Sequence, residues 1–374
     1  MVASEERLPP FVLERSLDTY QRTFIRTKME TPVTYFYTDQ PRTVNVRIEM
    51  NNGTLTHWFP MVHSFGPPTE KFPTQVPATR PAPKGGSYLE WNGLHLIPTD
   101  KPLPPNTPIP ALWRVKSNDP WKFARQTDSA LIRTFARDRF DTDEYDFEKF
   151  LFYRGLGTFD LPLEVKSAEA NGGVQLTVRN RGAQPLAGMF AIQVANKTIR
   201  LGRIADLGAG ESRSLPCESV LGPEIPLDDG VHPAMTKVAE VLTSAGLYRK
   251  EAWAMVQSWE TSYFRTDGLR ILFLIPRPQT DAFIPFQMTP PPTELVRVMV
   301  GRTEILTPVL EKLIESWIKD LGASDFRTRD AASKGLARLG RLTEPALRRI
   351  VSMSADAEVR NRATTLIRSA VERQ

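Results

Sequence analysis

VNVRIEMNNGTLTHWF, residues 44–59, is the stretch whose reading decides the kind of fold to expect. Val44, Val46, Ile48 and Met50 alternate with polar residues, the period of a strand with one buried face. Asn52-Gly53 then supplies the pair that best tolerates the positive φ angles of a type I′ turn, and Thr54 to Phe59 reads as the returning strand. Upstream, Val33, Tyr35 and Tyr37 keep the same period. Downstream, Ser87 to Trp91, Asn92-Gly93 and Leu94 to Pro98 repeat the pattern. Two hairpins are therefore expected in a Pro-rich β domain over residues 30–120, preceded by an arm, residues 1–29.

Proline sets the limits of that domain. The chain has 32 prolines in 374 residues, and 14 of them fall between Pro60 and Pro120, which excludes long helices and central strands there. Rigid loops around a small β core are expected, and Pro102-Leu-Pro-Pro105 matches a PxxP ligand. Residues 121–160 carry Asp138, Asp141, Asp143, Glu144, Asp146 and Glu148, read as a solvated linker. A calcium loop is excluded, because Tyr145, Asp146 and Phe152 stand where an oxygen ligand, glycine and glutamate are needed.

Over 161–225 short alternating runs return. Val174, Leu176 and Val178, then Phe190, Ile192 and Val194, are separated by Asn180-Arg-Gly182, and Asn196-Lys197 turns the chain toward Ile199 and Leu201. This spacing suits an immunoglobulin- or fibronectin-like β-sandwich, without the Cys–Trp–Cys signature. Over 230–305 a mixed helix–strand segment is expected. Val238, Val241, Leu242 and Ala245 end at Gly246, and Ala252, Met255, Val256, Trp259 and Tyr263 follow on a second helix, a stripe read as core. Leu269 to Ile275 reads as a buried strand, and Val296, Val298 and Val300 as an alternating one. The fold class is α+β, multi-domain.

The final stretch, 306–374, is helical. Leu310, Leu313, Ile314 and Trp317 share a face ending near Gly322. Ser324, Thr343 and Ser354 are expected to cap three further helices carrying Leu336, Leu347 and Val359. LGASDFRTRDAASKGLARLG, TEPALRRI and DAEVRNRATTLI together resemble a HEAT-type (armadillo-like) helical repeat. The resemblance implies a C-terminal HEAT-like α-helical array serving as a protein-binding surface. About two helix pairs are fewer than the three that usually stand alone, so the array is expected to lean on the preceding segment through Ile314 and Trp317. ETPVTYFYT, KFLFYRGLG, EAWAMVQSW and GLRILFLIP resemble parts of an uncharacterised bacterial multi-domain family, which implies no activity.

Charge points to the same region. Lys+Arg 48 against Asp+Glu 43 leaves +5, and Leu321 to Gln374 alone holds 11 basic and 6 acidic residues. Arg348, Arg349, Arg360 and Arg362 are the candidate binding residues, steering an acidic protein partner. The bland alternative is solvated arginine paired i to i+4 with acids. No aromatic residues interleave with these arginines, which argues against nucleic acid. The oligomeric state is not legible.

Signatures of catalysis are absent. There is no H-E-x-x-H and no P-loop, Gly210-Glu-Ser212-Arg-Ser214 lacks the second glycine of a nucleophile elbow, and Gly155-Leu-Gly157 lacks the third of a dinucleotide fingerprint. A single cysteine, Cys217, excludes an internal disulfide, and with His232 fifteen residues on it reads as a small apolar residue rather than half a dyad. His57, His63 and His95 would make a metal cluster only if the two hairpins faced each other. No cofactor is expected.

A non-enzymatic protein-interaction or scaffold protein is thus expected. The alternative is a hydrolase or carbohydrate-binding protein using Trp58, Trp91, Trp113 and Tyr88 as a sugar platform. No run of 18 apolar residues predicts a membrane helix, and the first 20 residues lack the pattern of a signal peptide. Localisation stays open, since a start further upstream carrying such a signal would place the protein in the cell envelope.

Overall fold

In the computed structural model, the residues described are 27–28, 33–66, 86–100, 121–135, 145–157 and 159–372. The arm to residue 26, Pro102–Pro105, Trp113, Asp138, Asp141, Asp143 and Glu144 lie outside them. The fold is α+β with several antiparallel sheets.

The front half contains β1 (Thr27–Lys28), β2 (Val33–Tyr35), β3 (Arg42–Met50), β4 (Gly53–Phe59), β5 (Ser64–Gly66), β6 (Ser87–Ile97), α1 (Lys122–Arg125), β7 (Leu131–Phe135), β8 (Tyr145–Glu148) and β9 (Phe150–Gly157). Neither expected Asn-Gly hairpin forms. β3 pairs with β6, whereas β4 pairs with β9 in a different sheet, so Asn52-Gly53 carries the chain around a corner between sheets. Asn92-Gly93 lies inside β6, where both residues oppose the single Asn45 of β3. Gly93 takes φ +69°, and its amide donates to Asn45 Oδ1 at 2.8 Å. This is a β-bulge.

The bulge has a packing reason. On β3 the buried residues are all even-numbered, Val44 through Met50, while on β6 they are Leu89 and Trp91, then Leu94 and Leu96. Side chains alternate faces with strict period two, so without one extra residue Leu94 and Leu96 would point to the wrong side. Those residues pack against Leu55, Leu151 and Tyr153 of the other sheet in a single core.

Where a solvated linker was expected, β7 and β8 extend the sheet of β6, and β9 joins β1, β2 and β4. Leu151 and Tyr153 of β9 face the core between the sheets, while Phe150 and Phe152 face Phe59, Trp121 and Ala254. A strand buried on both faces reads as a continuous apolar run and shows no alternation.

The rear half contains β10 (Leu163–Ala170), β11 (Gly173–Asn180), β12 (Met189–Ala195), β13 (Thr198–Ile204), β14 (Ser212–Pro216), α2 (Cys217–Val220), β15 (Ile225–Pro226), α3 (Leu227–Ser244), α4 (Arg249–Ser258), a π-helical turn (Glu260–Arg265), β16 (Gly268–Ile275), α5 (Arg277–Phe283), β17 (Phe286–Thr289) and β18 (Met299–Ile305). Real type I′ geometry appears at Asn196-Lys197, φ +50° and +62°, and at Asn171-Gly172, φ +53° and +76°. The sheet β10-β11-β14 packs Leu176 and Val178 against Met189, Ala191, Ile271 and Phe273 of the sheet β15-β13-β12-β16-β18. This is sandwich-like, but its second sheet needs β16 and β18, beyond residue 225. The reverse face of that sheet, through Phe190, Ile192 and Leu272, is covered by Met235, Val238, Val256 and Phe264. The expected strand around Val296 to Val300 starts later, at Met299. β17 leaves the rear half to pair with β3 at the edge of the front sheet.

The tail consists of α6 (Pro308–Asp320), α7 (Phe326–Leu339), a short 3₁₀ turn, α8 (Glu344–Met353) and α9 (Ala357–Glu372). Asp325, not Ser324, caps α7 by accepting the Thr328 amide at 2.8 Å, and Asp356, not Ser354, accepts the Glu358 amide at 2.8 Å. Thr343 instead donates back to Gly340 O. A carboxylate wins these positions because it accepts more strongly and suits the positive helix end. Ile314 and Trp317 turn into the tail's own core with Leu336, Leu347 and Ala363. The tail touches the sandwich through Lys312–Glu169 at 3.1 Å and an Arg338–Asp267 ion pair.

No atom lies within 4 Å of a Cβ built on Gly93, so a substitution there tests the left-handed backbone alone. Gly93→Val is expected to lose about 1–2 kcal/mol in urea unfolding, and Gly93→Asn clearly less. Equal losses would show that the bulge does not require φ > 0.

Candidate functional site

The four arginines singled out in the tail are mostly engaged by the tail itself. Arg348 donates to Glu344 at 2.6 Å and Arg362 to Glu358 at 2.8 Å, both i to i+4. Arg360 Nη1 donates to the carbonyls of Ser354 and Ala355, each at 2.8 Å. Arg329 does the same to Ala323 and Ser324 at 2.7 and 2.8 Å. Asp325, Arg329 and buried Ala332 thus recur as Asp356, Arg360 and buried Ala363. In each copy the aspartate starts a helix and the arginine closes the loop leading into it. Arg349 is exposed and makes no side-chain bond among the described residues.

The histidines do not converge. His57 on β4 contacts Thr56 Oγ1 at 2.8 Å, while His95 on β6, in the other sheet, contacts Thr43 Oγ1 at 3.2 Å. His63 donates its backbone amide to Glu90 O, and His232 meets the Trp253 ring edge-on. Among the described residues no three His, Cys, Asp or Glu side chains come together in a way that could hold a metal ion. Cys217 is buried in the sandwich core, and burial pushes its thiol pKa up, away from the thiolate a nucleophile needs. Trp58 and Trp91 are core, with Trp91 Nε1 donating to Pro60 O at 3.0 Å, and the Arg47 guanidinium covers the Tyr88 ring at 4.0 Å. None of the three presents a free ring face of the kind a sugar stacks on.

Sequence reasoning missed a cleft of about 2910 Å³ where the front sheets, α4 and the end of α7 meet. Its walls include Tyr35, Tyr37, Glu251, Trp259, Arg302 and Arg338, and no histidine or cysteine among the described residues. Glu251 sits in the first turn of α4 because its Oε2 accepts the Tyr248 amide at 2.7 Å, a capping box. Its Oε1 accepts from Tyr37 Oη at 2.9 Å, and the Tyr37 and Tyr248 rings meet edge-on at 4.7 Å. Burial raises the Glu251 pKa, and the two hydrogen bonds only partly pull it back. The Tyr35 hydroxyl is sealed from solvent with no hydrogen-bond partner among the described residues, an arrangement costing about 1–3 kcal/mol. Burial, then the Glu251 and Glu148 charges, raise the Tyr35 pKa and hold the phenol protonated.

Behind this wall, Glu148, expected in a solvated run, is fully buried and clamped by Arg125 at 2.8–3.2 Å. Lys149 Nζ donates to Ser129 O at 2.8 Å and Thr127 O at 3.1 Å, and burial lowers its pKa. These donors are spent on the protein's own oxygens, so the cluster reads as scaffolding for the cleft wall. No alternation or motif marks Glu148, Lys149 or the Tyr37 bond of Glu251, because those partners lie 20 to 214 residues along the chain.

The raised Glu251 pKa gives a signed pH effect. Between the ordinary carboxylate value and the raised one, the native state holds more protons than the unfolded chain, so stability falls as pH rises through that window. Glu251→Gln keeps a capping acceptor and removes the charge. Its stability relative to wild type is expected to improve as pH rises above the ordinary carboxylate value of about 4 in urea titrations. Parallel curves would show that burial does not penalise this carboxylate.

No family model, curated protein or solved structure matches this chain, so its function has to be read from these residues themselves.

Proposed function

We propose that this chain is a non-enzymatic protein-interaction or scaffold protein whose docking face is the C-terminal helical array, residues 306–374, of HEAT-like type. The observation that carries this reading is exposed apolar surface. Of the eight large hydrophobic side chains exposed among the described residues, Val309, Leu313, Phe326 and Met353 lie in the tail. Phe326 at 63% and Met353 at 79% exposure are placed where an isolated globule gains nothing from them. Val309 and Leu313 stand one turn apart on the outer face of α6, the spacing with which a helix presents anchors to a partner.

The recurring Asp-cap and Arg–carbonyl geometry supports a repeat reading, since one local solution serves two successive helix starts. It also changes what the arginines do. Arg348, Arg360 and Arg362 hold the array in shape, which leaves Arg349 as the residue of the four with a free guanidinium to steer an acidic partner. Apolar burial then supplies affinity, and charge sets orientation and encounter rate.

The experiment compares wild type with the double variant Phe326→Asp/Met353→Asp. Both sites are exposed, so the fold should be retained, as circular dichroism would confirm. Immobilised on a support and challenged with extract of its own host, wild type should retain a defined protein that the variant loses by about tenfold or more. The same proteins retained by both forms would sink the docking face.

A further inference from the structure

We propose that Tyr35, Tyr37, Tyr248 and Glu251 form a binding site for an organic ammonium group at the rim of the cleft, independent of the docking face on the tail. The geometry rests on an unbalanced charge. Glu251 accepts hydrogen bonds from Tyr37 Oη and the Tyr248 amide, and no Lys, Arg or His among the described residues pairs with it. Several cations nearby are occupied: Lys250 by Asp128 at 2.5 Å, Arg42 by Asp39 at 3.1 Å, Arg125 by Glu148, and Lys149 by backbone carbonyls. A half-buried carboxylate is therefore left with neutral donors alone.

The aromatic surroundings select the complement. Tyr37 and Tyr248 are 41% and 58% exposed, yet they hold each other edge-on beside the carboxylate. Exposed tyrosines in such contact present π faces, which carry negative potential and attract a cation. Tyr35 lines the same cleft, and its buried hydroxyl has no hydrogen-bond partner among the described residues. An anion is repelled here by Glu251, whose charge is met by neutral donors, while Glu148, Asp39 and Asp128 are each offset by a cation. A neutral apolar ligand would strip the carboxylate of more solvent and return nothing. An alkylated ammonium gains from both the charge and the rings, and its methyl groups carry little of the hydration that a bare metal ion must shed.

The positive end of α4 opposes this attraction only in part. Its effect amounts to about half a charge, and the amide that engages Glu251 takes Oε2, leaving Oε1 toward Tyr37. A free quaternary ammonium compound and a methylated lysine side chain share the required chemistry, and the experiment separates them.

The test uses the full chain and follows tyrosine and tryptophan fluorescence and calorimetric heat during titration with tetramethylammonium, with neutral tert-butanol as the shape-matched control. Saturable binding of tetramethylammonium in the millimolar range and none of tert-butanol are expected. Glu251→Gln, which can keep the capping box, should weaken binding about tenfold, and Tyr248→Ala about two- to fivefold. Acetyl-trimethyllysine amide binding more tightly than tetramethylammonium would assign a protein side chain as the source, and equal binding a free ammonium compound. Equal binding of tert-butanol, no saturable signal in wild type, or unchanged affinity in Glu251→Gln with an intact circular dichroism spectrum would each overturn the site.

Discussion

Burial of one guanidinium organises the rear of the molecule. Arg270 lies in β16 with essentially no exposure, in a strand otherwise packed on both faces by apolar side chains. A charge in that position is tolerated only when its donors are all met and a counter-charge is present. Glu304, its register partner on β18, supplies the counter-charge at 2.9 Å, and the carbonyls of Tyr263, Thr266 and Asp267 take the remaining donors at 2.6–3.2 Å. Those carbonyls belong to the end of the π-helical turn. The requirement to satisfy Arg270 therefore pins that turn to the sheet, and Arg302 over the Tyr263 ring at 4.5 Å adds a second fastening. From that fixed turn α4 runs against the front half, where Ala254 meets Phe150, Phe152 and Trp121. The cleft wall inherits its position from that chain of constraints.

The class of fold was legible in residue order because period two and period 3.6 are local. The tail was legible to within two residues at its caps, and the sandwich-like strands were readable from their turns. What failed was partner choice. Asn-Gly is compatible with a hairpin at 52–53, 92–93 and 171–172 alike, yet only the last forms one, since β3 and β4 find better partners in different sheets. The bulge at 92–93 did leave a trace. Leu89 and Trp91 are odd-numbered, Leu94 and Leu96 even-numbered, and a change of parity across Asn-Gly within one apolar pattern is what an inserted residue in a continuous strand produces. A hairpin imposes no such relation.

The candidate site was less legible than the fold. Tyr37 and Glu251 are 214 residues apart, and Glu251 stands in a helix whose visible pattern is its apolar stripe. Glu148 was hidden by its neighbours, because an acidic run reads as solvent-facing whatever one of its members does. The buried pair with Arg125 became visible only when α1 and β8 were placed side by side. Likewise β17 joins the front sheet from 286–289, after the chain has left it for more than a hundred residues.

The cleft reaches the tail at α7. Lys334, Arg338 and Leu339, on its last turns, line the cleft, while Phe326 at its start is among the exposed apolar side chains of the tail. The tail holds itself together through its own apolar core, with Leu321, Leu336 and Ala363 fully buried. Its polar ties to the sandwich are of a different strength: Lys312–Glu169 joins two exposed side chains, and exposed pairs of that kind contribute about 0–1 kcal/mol. Arg338 to Asp267 is the more consequential tie, because the backbone of Asp267 is already held by Arg270. The joint between tail and sandwich thus includes one residue that the buried arginine has fixed from the other side, beside the Ser167 hydroxyl that donates to Leu306 O at 2.5 Å, and Asp267 and Arg338 both line the cleft.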